Sequence, residues 1–182
     1  GDANFTKPDI PALDPFFPDT SAGGEVTLPD MFTAGVCYQF TDNTSVEFDV
    51  VRTMWSTYDE LTINFGDPLD PRFPELSKVQ SSRKDWHDTW RYQLGLEHQL
   101  NDDWTLRLGY IFDESPIPDA TADFIAPTND RNLYSIGTEY KKGDWTFDFS
   151  YIYIDMDDRT VSAEGRALEG ILSDALFTDS YT

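Results

Sequence analysis

The strongest constraint on this chain is a strict alternation of apolar and polar residues, repeated in six runs. Successive side chains of a β-strand point to opposite faces, so a period of two predicts strands with one apolar and one polar face. In the first run, Val36 and Tyr38 fall on one face and Cys37 and Gln39 on the other. The runs are MFTAGVCYQF (31–40), SVEFDVV (45–51), TWRYQLGLEHQL (89–100), WTLRLGYIF (104–112), NLYSIGTEYK (132–141) and WTFDFSYIYI (145–154).

Short turns and long loops alternate between these runs, which predicts three hairpins with the turns at one end of a sheet. The second run is expected to continue through Trp55 toward Phe65. The turns are TDNT (41–44), NDD (101–103) and KKGD (141–144), and the long loops are 66–84 and FDESPIPDATADFIAPTNDR (112–131).

The same pattern divides the chain into three parts. Residues 1–28 are rich in proline and are predicted to be an extracellular loop with a strand remnant. Residues 29–155 are predicted to hold the three hairpins. Residues 156–182 are polar, with weak helical or loop character around 163–176, and are predicted to form a loop and the start of a strand.

Two all-β architectures fit this pattern. A soluble β-sandwich buries its apolar face on a second sheet, whereas a transmembrane antiparallel β-barrel turns that face to lipid. Runs of about ten residues and the short-turn, long-loop asymmetry favour the barrel. So do aromatic residues near both ends of the runs, such as Trp104, Tyr140, Trp90 and Tyr153. We therefore expect an all-β transmembrane barrel, with a soluble β-sandwich binding module as an alternative.

Composition excludes several functions. The net charge of −21 and the pI of about 4.1 argue against nucleic acid, because phosphate binding needs clustered Lys and Arg. One cysteine and two histidines give no zinc-ligand pattern, and we predict no metal or cofactor. The adjacent carboxylates of Asp113 and Glu114 have no accompanying base or metal motif, so we expect no enzymatic activity.

Charged residues, Asp148 among them, fall on the polar faces of the runs, which would line the lumen of a barrel. Arg91 and Arg107 are expected to pair with the acids and so to relieve buried charge, which is a structural role. This charge network comprises Glu47, Asp49, Arg91, Glu97 and Arg107.

The order and spacing of several segments resemble the FadL-type outer-membrane transporters, which import long-chain fatty acids and aromatic hydrocarbons. The resemblance covers roughly 28–166. It is carried by LPDMFTAGVCYQFTDNTSVEFDVVRTMWSTY (28–58), DTWRYQLGLEHQLNDDWTLRLGYIFDESPIP (88–118), PTNDRNLYSIGTEYK (127–141) and SAEGRA (162–167).

This resemblance implies a 14-stranded barrel with an N-terminal plug domain and a lateral opening, in the outer membrane of a Gram-negative bacterium. Implied partners are membrane lipid, lipopolysaccharide and a hydrophobic small-molecule ligand. Because six runs supply only part of such a barrel, we expect a C-terminal-half fragment whose partner is the remainder of its own barrel. A split barrel and a complete small barrel of about eight strands are alternatives.

The resemblance also implies ligand contacts. The ligand carboxylate is expected near basic groups in the segment SSRKDWHD (81–88), where Arg83 and Lys84 are the available cations. The family's lysine matches Ser82, so the correspondence is offset by one or two positions. Trp86 and Trp55 would supply apolar wall. The simpler alternatives are solvated loop charges for the two cations and interface anchoring for Trp55.

The function that this resemblance implies is passive outer-membrane transport of hydrophobic compounds such as long-chain fatty acids. A porin for hydrophilic solutes is an alternative, because acids on the inward face also suit an open, charged lumen.

Overall fold

The computed structural model describes residues 2–5, 19–68, 78–123, 126, 128–161 and 175–177. Within these ranges the fold is all-β, as the sequence predicts, with a single 3-10 turn at Trp55–Thr57. No helix in the described ranges is long and apolar enough to cross a membrane. The chain forms two compact units, Gly1–Leu28 with Ser56–Trp86 and Pro29–Trp55 with His87–Thr182.

The smaller unit contains a four-stranded sheet, and the larger unit contains a six-stranded sheet and a two-stranded sheet. The strands are β1 (Asp2–Phe5), β2 (Thr20–Gly24), β3 (Met31–Thr41), β4 (Thr44–Thr53), β5 (Glu60–Phe65), β6 (Val79–Arg83), β7 (Thr89–Gln99), β8 (Trp104–Asp113), β9 (Arg131–Lys142), β10 (Trp145–Met156), β11 (Arg159–Val161) and β12 (Ala175–Phe177). The sheet orders are β1-β2-β5-β6, β10-β9-β8-β7-β4-β3 and β11-β12. All of the described pairings are antiparallel.

The three predicted hairpins are present in the six-stranded sheet. Two residues separate β3 from β4 and β9 from β10. In the second of these turns Gly143 has a φ of 59°, a conformation that glycine adopts without strain because it lacks a β-carbon. Between β7 and β8, the Asn101 side-chain oxygen accepts hydrogen bonds from the backbone amides of Asp103 and Trp104, both at 3.0 Å.

The register joins the apolar faces of the six strands into one continuous surface. Val36 lies opposite Phe48, and Phe48 lies opposite Leu94. The row continues through Tyr110 on β8 and Tyr134 on β9. A sheet in this register presents its apolar residues together, since cross-strand partners share a face.

Most of this apolar surface is exposed. The exposed fraction is 63% for Val36 and 69% for Phe149. Among the described residues, the buried hydrophobic side chains are Val51, Ile117 and Ala122. A soluble sandwich would bury the apolar face on a second sheet, so the observed exposure matches contact with lipid instead.

Aromatic rings gather at both ends of the apolar face. At the turn end Trp104 stacks on Tyr140, with ring centroids 4.5 Å apart. At the loop end Tyr110 and Tyr134 lie 5.3 Å apart, and Tyr134 and Tyr153 lie 6.4 Å apart. Two aromatic girdles separated by aliphatic residues are typical of strands that cross an outer membrane.

The prediction that β4 continues through Trp55 toward Phe65 is wrong. β4 ends at Thr53, and the 3-10 turn at Trp55–Thr57 separates it from β5. β5 then pairs with β2 and β6 in the smaller unit. Residues 29–155 are therefore not one continuous series of wall strands, because the chain leaves the larger unit between the second and third strands of its sheet.

Short strands also lie outside the six runs. Residues 1–28, predicted to be a loop with a strand remnant, contain β1 and β2, and residues 156–182, predicted to be a loop and the start of a strand, contain β11 and β12. Residues 66–84, predicted to be a loop, contain β6. The weak helical or loop character expected around 163–176 is wrong at residues 175 and 176, which lie in β12, and residues 163–174 lie outside the described residues. All of these strands are short, and β2 (TSAGG) and β6 (VQSSR) carry no apolar alternation, so backbone pairing defines these two.

Candidate functional site

Most of the charged side chains of the six-stranded sheet lie on the face opposite the apolar surface. Because cross-strand partners share a face, the register sorts this polar face into rows that cross the sheet. One row near the turns contains Glu97 and Arg107. A second row near the long loops contains Arg91, Asp113 and Arg131. The charges therefore form two clusters at opposite ends of the strands.

Arg107 is the centre of the cluster near the turns. Its Nε donates to Glu97 at 2.7 Å, and its two terminal nitrogens contact Glu139 at 3.0 Å and Asp148 at 3.3 Å. Lys141 contacts the second oxygen of Glu139 at 2.8 Å. The planar guanidinium thus connects the neighbouring strands β7, β8, β9 and β10, a geometry that a lysine ammonium does not reproduce.

Asp113 and Arg131 form the cluster near the loops. The Asp113 carboxylate accepts hydrogen bonds from Nε of Arg131 at 3.0 Å and from a terminal nitrogen at 2.7 Å. Arg91 lies opposite Asp113 on the other side, and its buried Nε makes no hydrogen bond within the described residues. One carboxylate is therefore flanked by two arginines.

Glu47 and Asp49 join neither cluster, so the expected ion pairs from the two arginines to these acids do not form in the described structure. The register places Glu47 opposite Cys37 and Gly95, and Asp49 opposite Gly35. A β-carbon at Gly35 would collide with the Asp49 carboxylate, so glycine leaves the space that this side chain occupies.

Three of the four predicted ligand contacts lie at the end of β6 and just beyond it. The Arg83 side chain is 73% exposed and pairs with Asp85, whereas Lys84 is 4% exposed. Trp86 meets Tyr58 edge to face, with ring centroids 4.9 Å apart. Arg83 is therefore the more accessible of the two cations, and the Lys84 side chain is buried.

Arg83 also has an acid as its cross-strand partner, Glu60. The Thr62 hydroxyl donates to the Glu60 carboxylate at 2.6 Å, and this hydrogen bond, with a further one from Ser81, lowers the pKa of Glu60 below its ordinary value. Glu60 is consequently ionised at neutral pH. A ligand carboxylate at Arg83 would compete with two acids, Glu60 and Asp85.

The fourth predicted contact, Trp55, belongs to the larger unit, where it begins the 3-10 turn that follows β4. Close to it in sequence, Arg52 lies 5.4 Å from the ring centroid of Trp90 and 3.1 Å from Asp88. Arg52 is on the apolar face, at the loop end. A cation stacked on tryptophan at this level suits the interface between lipid and water.

The loop between β8 and β9 is joined by hydrogen bonds within itself and to the segment that follows β10. The Asp130 carboxylate accepts from the backbone amide of Ser115 at 2.8 Å. Arg159 is 9% exposed and donates to the carbonyls of Ile117 at 2.7 Å and Thr128 at 2.8 Å. A cavity of about 430 Å³ with mainly polar walls lies among these loops.

Several charged residues of the site are absent from the charge network that was predicted from the sequence. Pairing residues outward from each tight turn could have found some of these contacts, since this register places Glu97 opposite Arg107 and Glu139 opposite Asp148. Residues absent from that network include Arg52, Asp113, Arg131, Glu139 and Lys141.

An antiparallel sheet with an exposed apolar face, aromatic girdles and a charged opposite face defines the wall of an outer-membrane β-barrel. Residues 15–180 match the family described as "Outer membrane protein transport protein (OMPP1/FadL/TodX)". The chain belongs to this family, and its location is the outer membrane of a Gram-negative bacterium. The expected FadL-type relationship and barrel fold are thus confirmed.

Known relatives match this chain over part of their own length. It is 27% identical over 117 residues to the long-chain fatty acid transport protein of Escherichia coli (strain K12), covering 63% of this chain and 24% of that protein. It is 29% identical over 130 residues to outer membrane protein P1 of Haemophilus influenzae, covering 71% and 26%. Its fold resembles the crystal structure of a Pseudomonas aeruginosa FadL homologue, with a TM-score of 0.72 and 22% identity over 86% of this chain and 33% of that one. The chain therefore spans about a quarter of the length of these curated relatives.

Proposed function

We propose that the intact protein is a passive outer-membrane transporter for hydrophobic compounds such as long-chain fatty acids, and that this chain forms part of its barrel wall. The observation that carries the proposal is the family match over residues 15–180, which spans every strand of the six-stranded sheet. A relative named as a long-chain fatty acid transport protein supports the class of solute. No covalent chemistry is required.

The ion pairing of the inward arginines favours a hydrophobic solute over a hydrophilic one. All three nitrogens of the Arg107 guanidinium contact carboxylates of the wall. The Arg131 guanidinium is likewise bonded to Asp113. Such charges stabilise the wall and leave little attraction for an ionic solute, because their partners already lie within the sheet.

Uptake into proteoliposomes tests this function. Vesicles containing the intact protein should accumulate oleate faster than protein-free vesicles, and they should not accumulate sucrose. Uptake without added energy is expected, since the transport is passive. Sucrose passage without faster oleate uptake would establish a porin and contradict the proposal.

We further propose that Arg83 contacts the ligand carboxylate on entry, with Lys84 and Trp86 beside it. Exposure of the Arg83 side chain supports this role, although Asp85 competes for it. Arg83→Ala should weaken oleate binding by about tenfold, or about 1.4 kcal/mol. Oleyl alcohol has no carboxylate and serves as the control ligand, and Arg83→Lys should retain part of the binding. Equal losses for oleate and oleyl alcohol would contradict a charge-specific contact.

The proposed partners follow from the two faces and the two edges of the six-stranded sheet. The apolar face would contact lipid and lipopolysaccharide. β3 and β10 are its edge strands within the described residues. In a bilayer an unpaired strand edge is strongly unfavourable, so we propose that these edges pair with other strands of the same barrel.

A further inference from the structure

One buried arginine joins two distant parts of the loop between β8 and β9, residues 114–130. Arg159 begins β11 and is 9% exposed. One terminal nitrogen of its guanidinium donates to the Ile117 carbonyl at 2.7 Å, and the other donates to the Thr128 carbonyl at 2.8 Å. Ile117 lies in the first half of the loop and Thr128 in the second half, so a single side chain holds the two halves together.

The two carbonyl hydrogen bonds contribute more to this contact than the accompanying ion pair. Nε of Arg159 lies 3.1 Å from the Asp119 carboxylate, in an ion pair without an aligned hydrogen bond. The Asp119 side chain is 79% exposed, and water screens an exposed ion pair. A buried cation without partners is strongly unfavourable, and here the two carbonyls supply charge-assisted hydrogen bonds. Burial of the Arg159 guanidinium is therefore favourable only while the loop is closed around it.

The middle of this loop is packed around a small core of its own. Ile117, Thr121 and Ala122 are buried, and the Thr121 amide donates to the Pro118 carbonyl at 3.1 Å to form a turn. Ile117 and Ala122 are two of the three buried hydrophobic side chains among the described residues, so most of this buried apolar set lies in a loop and not in the sheet. Connecting segments generally run exposed over the protein surface, and the burial of this one indicates an ordered, closed loop.

Hydrogen bonds at the base of the loop hold its two ends near the strands. The Asp130 carboxylate accepts from the Ser115 amide at 2.8 Å, and the Asn129 side-chain amide donates to the Asp158 carbonyl at 3.1 Å. The His87 amide donates to the Pro116 carbonyl at 3.0 Å, which joins the loop to the segment before β7. These bonds involve residues next to the strand ends, so opening of the middle of the loop would leave them in place.

We propose that Arg159 is a latch that keeps the middle of the β8–β9 loop closed against the segment that follows β10. When the latch is released, the middle of the loop opens while the sheet remains folded. The polar cavity of about 430 Å³ opens with it, because Arg159, Ile117 and Asp119 form part of its wall. The latch adds a preformed element at the loop end of the barrel wall, and it does not depend on which solute the intact protein transports.

Hydrogen exchange of the intact protein in lipid nanodiscs, resolved by mass spectrometry of its peptides, tests the latch. Arg159→Met removes the guanidinium and retains much of the apolar length of the side chain. Peptides that cover residues 115–123 should exchange about a hundredfold faster in this variant, because exchange of a protected amide follows the opening equilibrium and two charge-assisted hydrogen bonds are lost. Peptides from the β7–β8 turn, which contain the amides of Asp103 and Trp104, should exchange at the wild-type rate.

Further variants separate the contacts of Arg159. Asp119→Asn removes the ion pair and retains both carbonyl hydrogen bonds, so exchange of the loop peptides should rise less than about threefold. Arg159→Lys retains the charge, but an ammonium lacks the planar fork that reaches two carbonyls, so intermediate protection is expected. Ala122→Cys gives an independent measure, because a buried thiol reacts with a water-soluble maleimide only when the loop opens. Adding Arg159→Met to it should speed this labelling about a hundredfold.

Four results would overturn the inference. Wild-type exchange of the loop peptides in Arg159→Met shows that other contacts hold the loop closed. Equal acceleration in Asp119→Asn and Arg159→Met assigns the effect to the ion pair. Equally faster exchange of the turn peptides shows that Arg159 stabilises the whole barrel and not the loop. Rapid labelling of Ala122→Cys with Arg159 in place shows that the loop is open in the intact protein.

Discussion

Replacing Asp113 should destabilise the barrel wall more than replacing its ion-pair partner Arg131. Asp113→Asn removes the one carboxylate between Arg91 and Arg131 and leaves two arginines beside a neutral amide. Arg131→Gln leaves the carboxylate in place, and Arg91 on the opposite strand can turn to it. The two substitutions remove the same ion pair, but only the first leaves uncompensated charge.

The structure sets the size of this difference. The pair consists of two charge-assisted hydrogen bonds, at 2.7 and 3.0 Å, and the side chains of Asp113 and Arg131 are 19% and 41% exposed. Partial exposure reduces the contribution of such a pair, so we expect Asp113→Asn to cost about 1–2 kcal/mol. Arg131→Gln should cost less than about 1 kcal/mol, because Arg91 replaces part of the interaction.

Urea unfolding in phospholipid vesicles, followed by tryptophan fluorescence, measures both free energies of unfolding. Asp148→Asn is the matched control, because it makes the same chemical change at a side chain that is 63% exposed and 3.3 Å from Arg107. Its cost should be about 0.5 kcal/mol or less. Equal costs for Asp113→Asn and Arg131→Gln would refute the argument that Arg91 can take over, and a control as costly as Asp113→Asn would refute the ranking by exposure.

Three further substitutions test other parts of the structure. Gly109→Ala should destabilise the wall, because its β-carbon would meet the Ser135 hydroxyl, and adding Ser135→Ala should restore stability in the same urea assay if that contact is the cause. Trp104→Ala should lower the free energy of unfolding by about 1 kcal/mol beyond the loss of apolar contact area, because a stacked aromatic pair is lost; a cost equal to the area term alone would contradict this. Thr62→Val should raise the pKa of Glu60 toward its ordinary value in an NMR titration of the carboxyl carbon, because the main hydrogen bond that lowers it is removed. Since the folded-state pKa is lowered, the stability that this group contributes is present at neutral pH and is lost as pH falls through the folded-state pKa, and an unchanged pKa in the variant would show that Thr62 is not the cause.

Alternation was sufficient to predict the wall strands because it is a local property. Each of the six runs corresponds to a strand of the six-stranded sheet, and the tight turns lie where polar and glycine-containing segments interrupt the runs. The smaller unit was missed for the same reason. β2 and β6 read TSAGG and VQSSR, which carry no alternation of apolar residues, and they become strands through backbone pairing with β5.

The candidate site was predictable only in part. Arg107 and Glu97 flank a tight turn, so their contact follows from short-range register, and the structure has it at 2.7 Å. Arg83 and Lys84 are adjacent in sequence and chemically similar, yet one is exposed and the other buried. No local pattern distinguishes them, because burial depends on the packing of segments that are distant in the sequence; the Lys84 backbone amide, for example, donates to the Asp59 carbonyl at 2.7 Å.

The sequence by itself determined the six wall strands, their two faces and the aromatic girdles, since side-chain direction along a strand depends only on the parity of position. The tertiary structure decided which inward residues meet. Register brings Glu139 and Asp148 to Arg107, separates Glu47 and Asp49 from it, and places Ile111, Leu133 and Ile154 side by side on three strands. These relations depend on pairing between distant segments, so a shift of one residue between two paired strands would change those that involve either strand.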